Sequence, residues 1–189
     1  GHINDRIDLA LLEAIADRGR SLLLVGPRSR ASEPARWDAL LARPNVLWVG
    51  PRPFHELAPY LGAIDVGLLP YGDSAFNRGS FPLKTLEYLA AGKPVVTTDL
   101  PAIRWLDTPL ITTVGAAGEF ADALDSWLDR PPCPEEASAR RQFARRHSWT
   151  VRAEAMNAII EAAEERLREY AGARSSGGRP FPPLARRPT

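Results

Sequence analysis

The hydrophobic residues of the first two thirds of the chain fall into two alternating kinds of segment. Short, mainly apolar runs lie at residues 21–25, 46–49, 64–69, 95–98 and 110–114, and all but the fourth end directly at glycine or proline. A run without polar alternation, as at 21–25, is the pattern of a strand covered on both faces. Between them, apolar residues recur every three or four positions, as in helices with one buried face. Strands that alternate with helices predict a parallel sheet with right-handed crossovers. The predicted fold is therefore a doubly wound, Rossmann-like α/β domain.

Several predicted helices have recognisable ends. Asn4 or Asp5 can cap the first helix and Gly19 can end it, while Ser32 with Pro34 opens the second. Further helices are predicted at residues 54–63, near 103–106, at 120–128, at 135–147 and from 148 to about 167.

The composition of the chain changes after residue 171. Residues 172–189 are rich in Ser, Gly, Pro and Arg and contain no acidic residue. Such a segment has too little apolar surface to offset its chain entropy. We therefore predict a folded domain at residues 1–171 and a disordered tail at 172–189. The arginines of the tail also allow a weak peripheral contact with an anionic membrane surface.

The most informative stretch joins a loop, a short helix and the fourth predicted strand. Pro82 favours a helix start, with Ser80 or Phe81 as its cap, and Gly92 favours its end. The first-turn amides of a helix lack partners and, together with the helix dipole, favour a bound phosphate or other anion. Glu87 can place a carboxylate beside that anion and bind a hydroxylated sugar. The alternative is an ordinary crossover helix whose Glu87 is solvated.

Composition narrows the class of protein. The chain has 189 residues, of which 44% are hydrophobic and 25% are charged, as in soluble globular domains, and its net charge of +1 argues against nucleic acid as the main partner. It shows neither an apolar run of the roughly 20 residues that cross a bilayer nor a signal-peptide pattern. A single cysteine, Cys133, suits a reducing compartment. The histidines His2, His55 and His147 are scattered, so we expect no metal site and a cytoplasmic protein.

The order Gly-Ser-Phe-Pro-Leu-Lys-x-Leu-Glu-Tyr-Leu-Ala-Ala-Gly-Lys-Pro-Val-Val, which begins at Gly79, resembles the donor-binding signature of retaining, family 4-like glycosyltransferases of the GT-B fold. That signature has two glutamates. Glu87 matches the second, which in the family binds the ribose hydroxyls of the donor nucleotide. Gly79 stands in place of the first, which contacts the donor sugar.

The resemblance extends over about residues 1–167 and implies the C-terminal, donor-binding half of such an enzyme. Gly1 matches a glycine that lies against the donor phosphates, and Asp8 stands where the family has a lysine. The resemblance implies that Arg6 and Lys84 supply the positive charge that this lysine provides in the family. The full set of donor-binding residues implied in this way is Gly1, His2, Arg6, Pro51, Arg52, Ser80, Phe81, Pro82, Leu83, Lys84 and Glu87. Of these, Pro51 and Arg52 would lie beside the base.

The resemblance implies a hexosyltransferase-like enzyme that binds a nucleotide-diphosphate sugar as donor substrate and needs no other cofactor. The leaving phosphate assists the transfer, so no catalytic protein nucleophile is expected. The acceptor, a sugar or lipid that the sequence does not identify, would be bound by an N-terminal domain absent from this chain, so we expect the chain alone to be inactive. The expected location is cytoplasmic, with the inner face of the membrane as an alternative.

Two other functions fit the same architecture. Sugar-nucleotide epimerases share it, but their catalytic acids are not evident in this motif. A noncatalytic nucleotide-sensing or protein-interaction module is the second alternative. It is supported by Gly79 in place of a glutamate and by His2 in place of an arginine.

Overall fold

The structure, a computed structural model, describes residues 1–29 and 33–175. Its strands form two parallel sheets. The first contains β1 (Leu22–Leu24) and β2 (Val46–Trp48); the second contains β3 (Gly67–Leu69), β4 (Val95–Thr98) and β5 (Ile111–Val114), in that order. The parallel pairing confirms the predicted α/β class. The sequence predicts a single sheet. Within the described residues β1 does not pair with β3, so the strands form two sheets instead.

Helices connect and cover these strands. They are α1 (Leu9–Asp17), α2 (Pro34–Leu41), α3 (Leu57–Ala63), α4 (Ala75–Arg78), α5 (Leu83–Ala90), α6 (Pro101–Leu106), α7 (Ala117–Leu128), α8 (Pro134–Arg146) and α9 (Trp149–Ser175), and a 3₁₀ turn at Phe54–Glu56 precedes α3. By compactness, the chain divides into one unit at Gly1–Arg146 and a second unit that begins at His147. The sheets and the elements that carry the predicted site all lie in the first unit.

The first unit has two hydrophobic clusters, one on each side of β4. Val96 belongs to the cluster that contains Ile15 of α1 and Phe120 of α7, whereas Val95 belongs to the cluster that contains Leu89 of α5. Successive side chains of a strand point to opposite faces of the sheet. β4 is therefore covered on both faces, as its run of β-branched residues predicts.

The first helix begins later than predicted. Asp8, not Asn4 or Asp5, is its N-cap, and a side-chain oxygen of Asp8 accepts a hydrogen bond of 3.0 Å from the amide of Ala10. The residues before it are held in extended bridges instead: Ile3 pairs with Arg28, and Ile7 pairs with Tyr71. These contacts join distant segments, so local capping signals could not reveal them.

The second strand was predicted to be buried, and this prediction is wrong for two of its three residues. Val46 is buried, but Leu47 is 60% exposed and Trp48 is 39% exposed. β2 is an edge strand, because β1 is its one neighbour among the described residues. The side chains of β2 are therefore not covered on both faces of the sheet.

The segment between β3 and α5, predicted to be a loop, contains the short helix α4. Ser74 caps it by accepting a hydrogen bond of 3.1 Å from the amide of Asn77. The cap predicted for α5 also needs correction, because Pro82 is the N-cap residue. Ser80 is engaged elsewhere, with its hydroxyl donating to the carbonyl of Phe76 over 2.6 Å.

The last helix continues to Ser175, four residues into the range that the sequence assigned to the tail. Alanine and arginine, which favour helices, occupy part of this extension. The rest of the predicted tail, residues 176–189, lies outside the described residues, so its disorder and its contact with lipid stay predictions. Among residues 1–29 and 33–175, no helix combines the length and the apolarity that a membrane crossing requires.

Candidate functional site

A cavity of about 790 Å³ opens where β1 and β3 end and α5 begins. This is the edge at which parallel α/β sheets bind their ligands. Eight of the predicted donor-binding residues line it: Gly1, His2, Arg6, Phe81, Pro82, Leu83, Lys84 and Glu87. The structure therefore brings together residues that are more than 80 positions apart in the sequence.

Glu87 and Lys84 face this cavity because the other side of α5 is fixed in the core. Thr85 and Leu89, four residues apart, are fully buried. Lys84 Nζ lies 3.3 Å from Glu87 Oε2, and the two side chains are 32% and 42% exposed. An ion pair this accessible to water is worth about 0–1 kcal/mol, so a ligand can separate it at little cost.

The N-terminus of α5 opens into the same cavity. Pro82 occupies the N-cap position and has no side chain that could accept from the first-turn amides. The amide of Thr85 donates to the carbonyl of Pro82 over 3.0 Å, but the amides of Leu83 and Lys84 precede the first intrahelical bond. Together with the helix dipole, they favour an anion at this position.

Gly1 and Gly26 form the backbone wall beside Lys84. Gly26 has φ +139°, and a Cβ at this residue would lie 1.7 Å from the carbonyl oxygen of Gly1. The backbone conformation and the close approach therefore both require glycine at position 26. A Cβ at Gly1 would lie 2.7 Å from Lys84 Cε. Burial, and then the charge of Lys84, lower the pKa of the Gly1 amine to about 6.

Arg6 is positioned by a buried asparagine and two aromatic rings. Its Nε donates to Asn77 Oδ1 over 2.9 Å, and its guanidinium lies 4.9 Å from the ring centroid of Tyr71 and 4.6 Å from that of Phe76. Asn77 is 1% exposed and donates to the carbonyls of Arg6 and Gly72 over 2.9 and 2.8 Å. A cation held in this way enters the cavity in a fixed position.

Two tyrosines beside the cavity remain neutral at physiological pH. Burial, and to a smaller extent the negative charge of Glu87, raise the pKa of Tyr88 to about 12. Burial also raises the pKa of Tyr71, although the charge of Arg6 opposes this effect. Both phenols can therefore donate hydrogen bonds but add no negative charge next to Glu87.

Three predicted residues, Pro51, Arg52 and Ser80, are not among the described residues that line the cavity. Arg52 is exposed, and its Nε donates to the hydroxyl of Tyr60 over 2.8 Å. Conversely, no individual role is predicted from the sequence for Tyr71 or Asn77. Tyr71 follows the end of β3 closely, at the edge where such sheets bind ligands. No spacing pattern singles out Asn77, because its partners come from separate segments. Within the described ranges, no group of three His, Cys, Asp or Glu residues could hold a metal ion.

Comparison with known protein families gives one match. The sequence profile of the family described as Glycosyl transferases group 1 matches residues 5–130. TuaH of Bacillus subtilis (strain 168), provisionally named a teichuronic acid biosynthesis glycosyltransferase, is 32% identical over 154 residues, which are 79% of this chain and 38% of TuaH. The chain thus spans well under half the length of this relative.

Solved structures of other proteins have a similar fold, and two of them illustrate it. Sucrose-phosphate synthase from Thermosynechococcus elongatus superposes with a TM-score of 0.71 at 22% identity, over 87% of this chain and 45% of the other. Anabaena HepE, solved in complex with UDP and glucose, superposes with a TM-score of 0.63 at 19% identity, over 86% of this chain and 47% of the other. At these identities the likeness concerns the fold, and it agrees with the predicted Rossmann-like domain.

Proposed function

Because the chain belongs to the group 1 glycosyl transferases, we propose that it binds the nucleotide-diphosphate sugar from which a glycosyl group is transferred. One observation carries this proposal: Arg6, Lys84 and Glu87 line a single cavity together with the N-terminus of α5. Positively charged side chains and backbone amides bind the oxygens of a diphosphate. A carboxylate accepts hydrogen bonds from two vicinal hydroxyls.

The diphosphate would bind at the start of α5. The amides of Leu83 and Lys84 would donate to its oxygens, and Lys84 Nζ would leave Glu87 for a phosphate. Arg6, fixed by Asn77, would supply the second positive charge. Such preorganised donors stabilise the negative charge that develops on a departing diphosphate.

The ribose would bind to Glu87. Glu87 lies four residues after Leu83, which corresponds to about 6 Å along the helix axis. This spacing suits a sugar joined to the diphosphate. Once Lys84 pairs with a phosphate, both carboxylate oxygens of Glu87 can accept from the two ribose hydroxyls. Pro51, Arg52 and His2 stay proposals for contacts with the base and the sugar.

We assign to this chain the donor and not the acceptor. HepE, which has a similar fold, was solved with UDP and glucose, and this supports a nucleotide-sugar donor. The matched parts of the chain cover 45% of the length of sucrose-phosphate synthase and 38% of TuaH. In the proposal, transfer with retention requires a further domain that presents the acceptor, so the chain binds its donor without turnover.

Calorimetric titration tests the binding step. The chain is titrated with UDP and with GDP, and then with the corresponding nucleotide sugars. Glu87→Gln should weaken binding of the preferred nucleotide by about tenfold to a hundredfold, because it removes a charge-assisted pair of hydrogen bonds. Glu154→Gln, at an exposed position of α9, is the matched control and should bind like the parent chain. Equal affinities of the two variants would contradict the role given to Glu87.

A noncatalytic module of the same fold is the second candidate, and Gly79 favours it. Gly79 is the C-cap residue of α4 and offers no carboxylate to a donor sugar. A nucleotide sensor would bind the nucleotide and its sugar conjugate equally well, whereas a donor site would distinguish them. Binding of neither UDP nor GDP by the folded chain would favour a protein-interaction module. Transferase turnover by the chain alone would contradict the proposed need for an acceptor domain.

A further inference from the structure

A second cavity, of about 550 Å³, lies at the edge of the second sheet where its strands begin, opposite the edge of the proposed donor site. Lys93 and Pro94, which directly precede β4, line it together with the end of α7 and the beginning of α8. It shares Asp65 and Leu128 with the first cavity, but none of the predicted donor-binding residues lines it. A ligand in this cavity would therefore bind separately from the donor.

The second cavity is positively charged. Its lining has a net charge of +2, from the cationic residues Lys93, Arg130, Arg140 and Arg141 and the acidic residues Asp65 and Glu136. The whole chain has a net charge of only +1, so positive charge is concentrated at this place. Three of the four cations are arginines, and the planar guanidinium of arginine matches the oxygens of a phosphate in pairs.

Arg140 is a buried cation with one unused donor. The residue is 5% exposed; its Nη1 donates to the carbonyl of Gly92 over 3.2 Å, and its Nη2 donates to Glu136 Oε2 over 2.7 Å. Its Nε is buried and has no acceptor among the described residues. A buried donor without an acceptor costs free energy, and a bound ion is one physical explanation for it. Because Arg140 lines the cavity, a ligand oxygen there can supply the acceptor.

The indole ring of Trp127 positions Arg130 beside Arg140. Its Nε1 donates to Thr112 Oγ1 over 2.9 Å, which fixes the ring to β5. The guanidinium groups of Arg130 and Arg140 lie 4.4 and 5.0 Å from the centroid of this ring. Both groups bind the carboxylate of Glu136, over 2.6 and 2.7 Å. Two cations share one carboxylate, so the pair keeps a net positive charge.

The other two cations have no acidic partner among the described residues. Arg141 is exposed and lies against the backbone before β4, where a Cβ at Gly92 would be 2.4 Å from its Nη1. Lys93 Nζ donates to the carbonyl of Gly62 over 3.1 Å, and this acceptor is neutral. Neither charge is therefore neutralised by the protein around the cavity.

Charge and size select the class of ligand. A phosphate monoester carries a charge of about −1.5 to −2 at pH 7, which complements the lining better than the single charge of a carboxylate. Small-molecule sites commonly measure about 300–1,000 Å³, so this cavity has room for the rest of the ester beside its phosphate. We propose that the second cavity binds a small phosphate monoester, with Arg130, Arg140 and Arg141 around the phosphate. This site does not depend on the function proposed for the first cavity.

Cys133 provides a local readout of this site. It is the single cysteine of the chain, it lines the cavity, and its partly accessible thiol donates to Glu135 Oε2 over 3.3 Å. Glycerol 3-phosphate, at about ten times its Kd, should slow alkylation of Cys133 by uncharged iodoacetamide by about tenfold, because about nine in ten sites are then occupied. Potassium chloride at the same ionic strength is the control for screening of the cavity charge.

Two arginine variants test the assignment. Arg141→Gln should raise the concentration of glycerol 3-phosphate needed for protection by about tenfold or more, because it removes a charge-assisted hydrogen bond. Arg145→Gln, one turn further along α8 at an exposed position outside the lining, is the matched control and should behave like the parent chain. Lys84→Met, in the proposed donor site, should also leave protection unchanged. Equal concentrations for the two arginine variants, or loss of protection in Lys84→Met, would overturn the proposal.

Vesicles distinguish a soluble ester from a lipid headgroup. Phosphatidic acid carries the same phosphate monoester, so vesicles of phosphatidylcholine with and without phosphatidic acid are compared with glycerol 3-phosphate. Protection by glycerol 3-phosphate alone supports a soluble ligand, and protection by phosphatidic acid vesicles alone supports a lipid ligand of the same site. Absence of protection by both, or equal protection by pure phosphatidylcholine, would show that the cavity does not recognise the phosphate.

Discussion

At the scale of single residues, Lys84 and Glu87 should contribute differently to different parts of the ligand. In the proposed site, Lys84 contacts the diphosphate and Glu87 contacts the ribose. Lys84→Met should therefore weaken inorganic pyrophosphate and the preferred nucleoside diphosphate alike, by about tenfold or more. Glu87→Gln should weaken the nucleotide but not pyrophosphate, because pyrophosphate has no ribose and the competing partner of Lys84 is gone. Calorimetry with the two ligands measures both effects.

A different result for Glu87→Gln would indicate a different role for Glu87. If Glu87→Gln weakened pyrophosphate as strongly as it weakened the nucleotide, Glu87 would act by positioning Lys84. Neither substitution should change the urea midpoint appreciably, because the exposed ion pair that joins the two residues adds little to stability.

Tyr88 should make the protein less stable above pH 10. Its pKa is raised from 10.0 to about 12 on folding, chiefly by burial, so the folded state retains the phenol proton over a range in which the unfolded state loses it. The resulting contribution to the free energy of unfolding is present below pH 10 and lost as the pH rises towards 12. Two pH units correspond to about 2 to 3 kcal/mol.

The measurement is the difference in free energy of unfolding between pH 9 and about pH 12, with two variants. Tyr88→Phe should show a smaller decrease than the parent chain, because no phenol remains to ionise at that position. Tyr170→Phe, at an exposed position of α9, should decrease as the parent does. If all three decreases agreed, Tyr88 would not have the buried phenol that the structure shows.

The sequence predicted some site residues better than others. Lys84 and Glu87 follow a proline within one helix, so local rules place them beside the anion site. Arg6 could be nominated only as a substitute by proximity, since Asn77 and the rings that position it are about 70 residues away. Sequence patterns report neighbours along the chain, and contacts of this kind are not local.

At the scale of elements, the packing of α5 on β3 depends on a glycine. A Cβ at Gly67 would lie 2.3 Å from Tyr88 Cγ and 2.8 Å from Tyr88 Cβ. Tyr88 Cβ moves only with the helix backbone, and Cγ moves only if the ring leaves its rotamer. Gly67→Ala should therefore decrease the free energy of unfolding by about 1–3 kcal/mol, the usual cost of overpacking. It should also weaken nucleotide binding, because Lys84 and Glu87 move with α5.

Gly62→Ala is the matched control for this substitution. Gly62 lies inside α3, and a Cβ there would have no atom within 4 Å. Alanine should stabilise this helical position by about 0.5–1 kcal/mol. Chemical denaturation of the two variants gives the comparison, and a Gly67→Ala chain as stable as Gly62→Ala would show that α5 is not seated as described.

The elements themselves were predictable to different degrees. The bounds of α5 and β4 follow from Pro82 and Gly92, which act on the backbone directly around them. The position of β2 was predicted but not its exposure, because whether a strand lies at an edge depends on the strand order. The start of α1 was placed too early, since bridges to Arg28 and Tyr71 compete with helix formation at residues 3–7.

At the scale of the whole molecule, the proposed donor site is assembled from three separate segments. These are the residues before α1, the end of β3 with α4, and the beginning of α5. A site with this construction exists only when the first unit is folded. Ligand binding should therefore stabilise that unit as a whole instead of one helix.

A bound nucleoside diphosphate should raise the stability of the first unit by an amount that depends on its concentration and Kd. The preferred nucleoside diphosphate, at about 100 times its Kd, should raise the free energy of unfolding by about 2.7 kcal/mol, and it should raise the Tm by several degrees. At the same ligand concentration, Lys84→Met should show a smaller increase, in proportion to its higher Kd. Thermal and urea unfolding with and without the ligand provide the measurement.

Hydrogen exchange then distinguishes assembly from local binding. Amides in the residues before α1, at the end of β3 with α4, and in α5 should gain protection together, because each of the three segments must be in place before the nucleotide can bind. Protection confined to α5 would mean that the anion binds to the helix N-terminus alone, and the roles given to Arg6 and Gly1 would then be wrong.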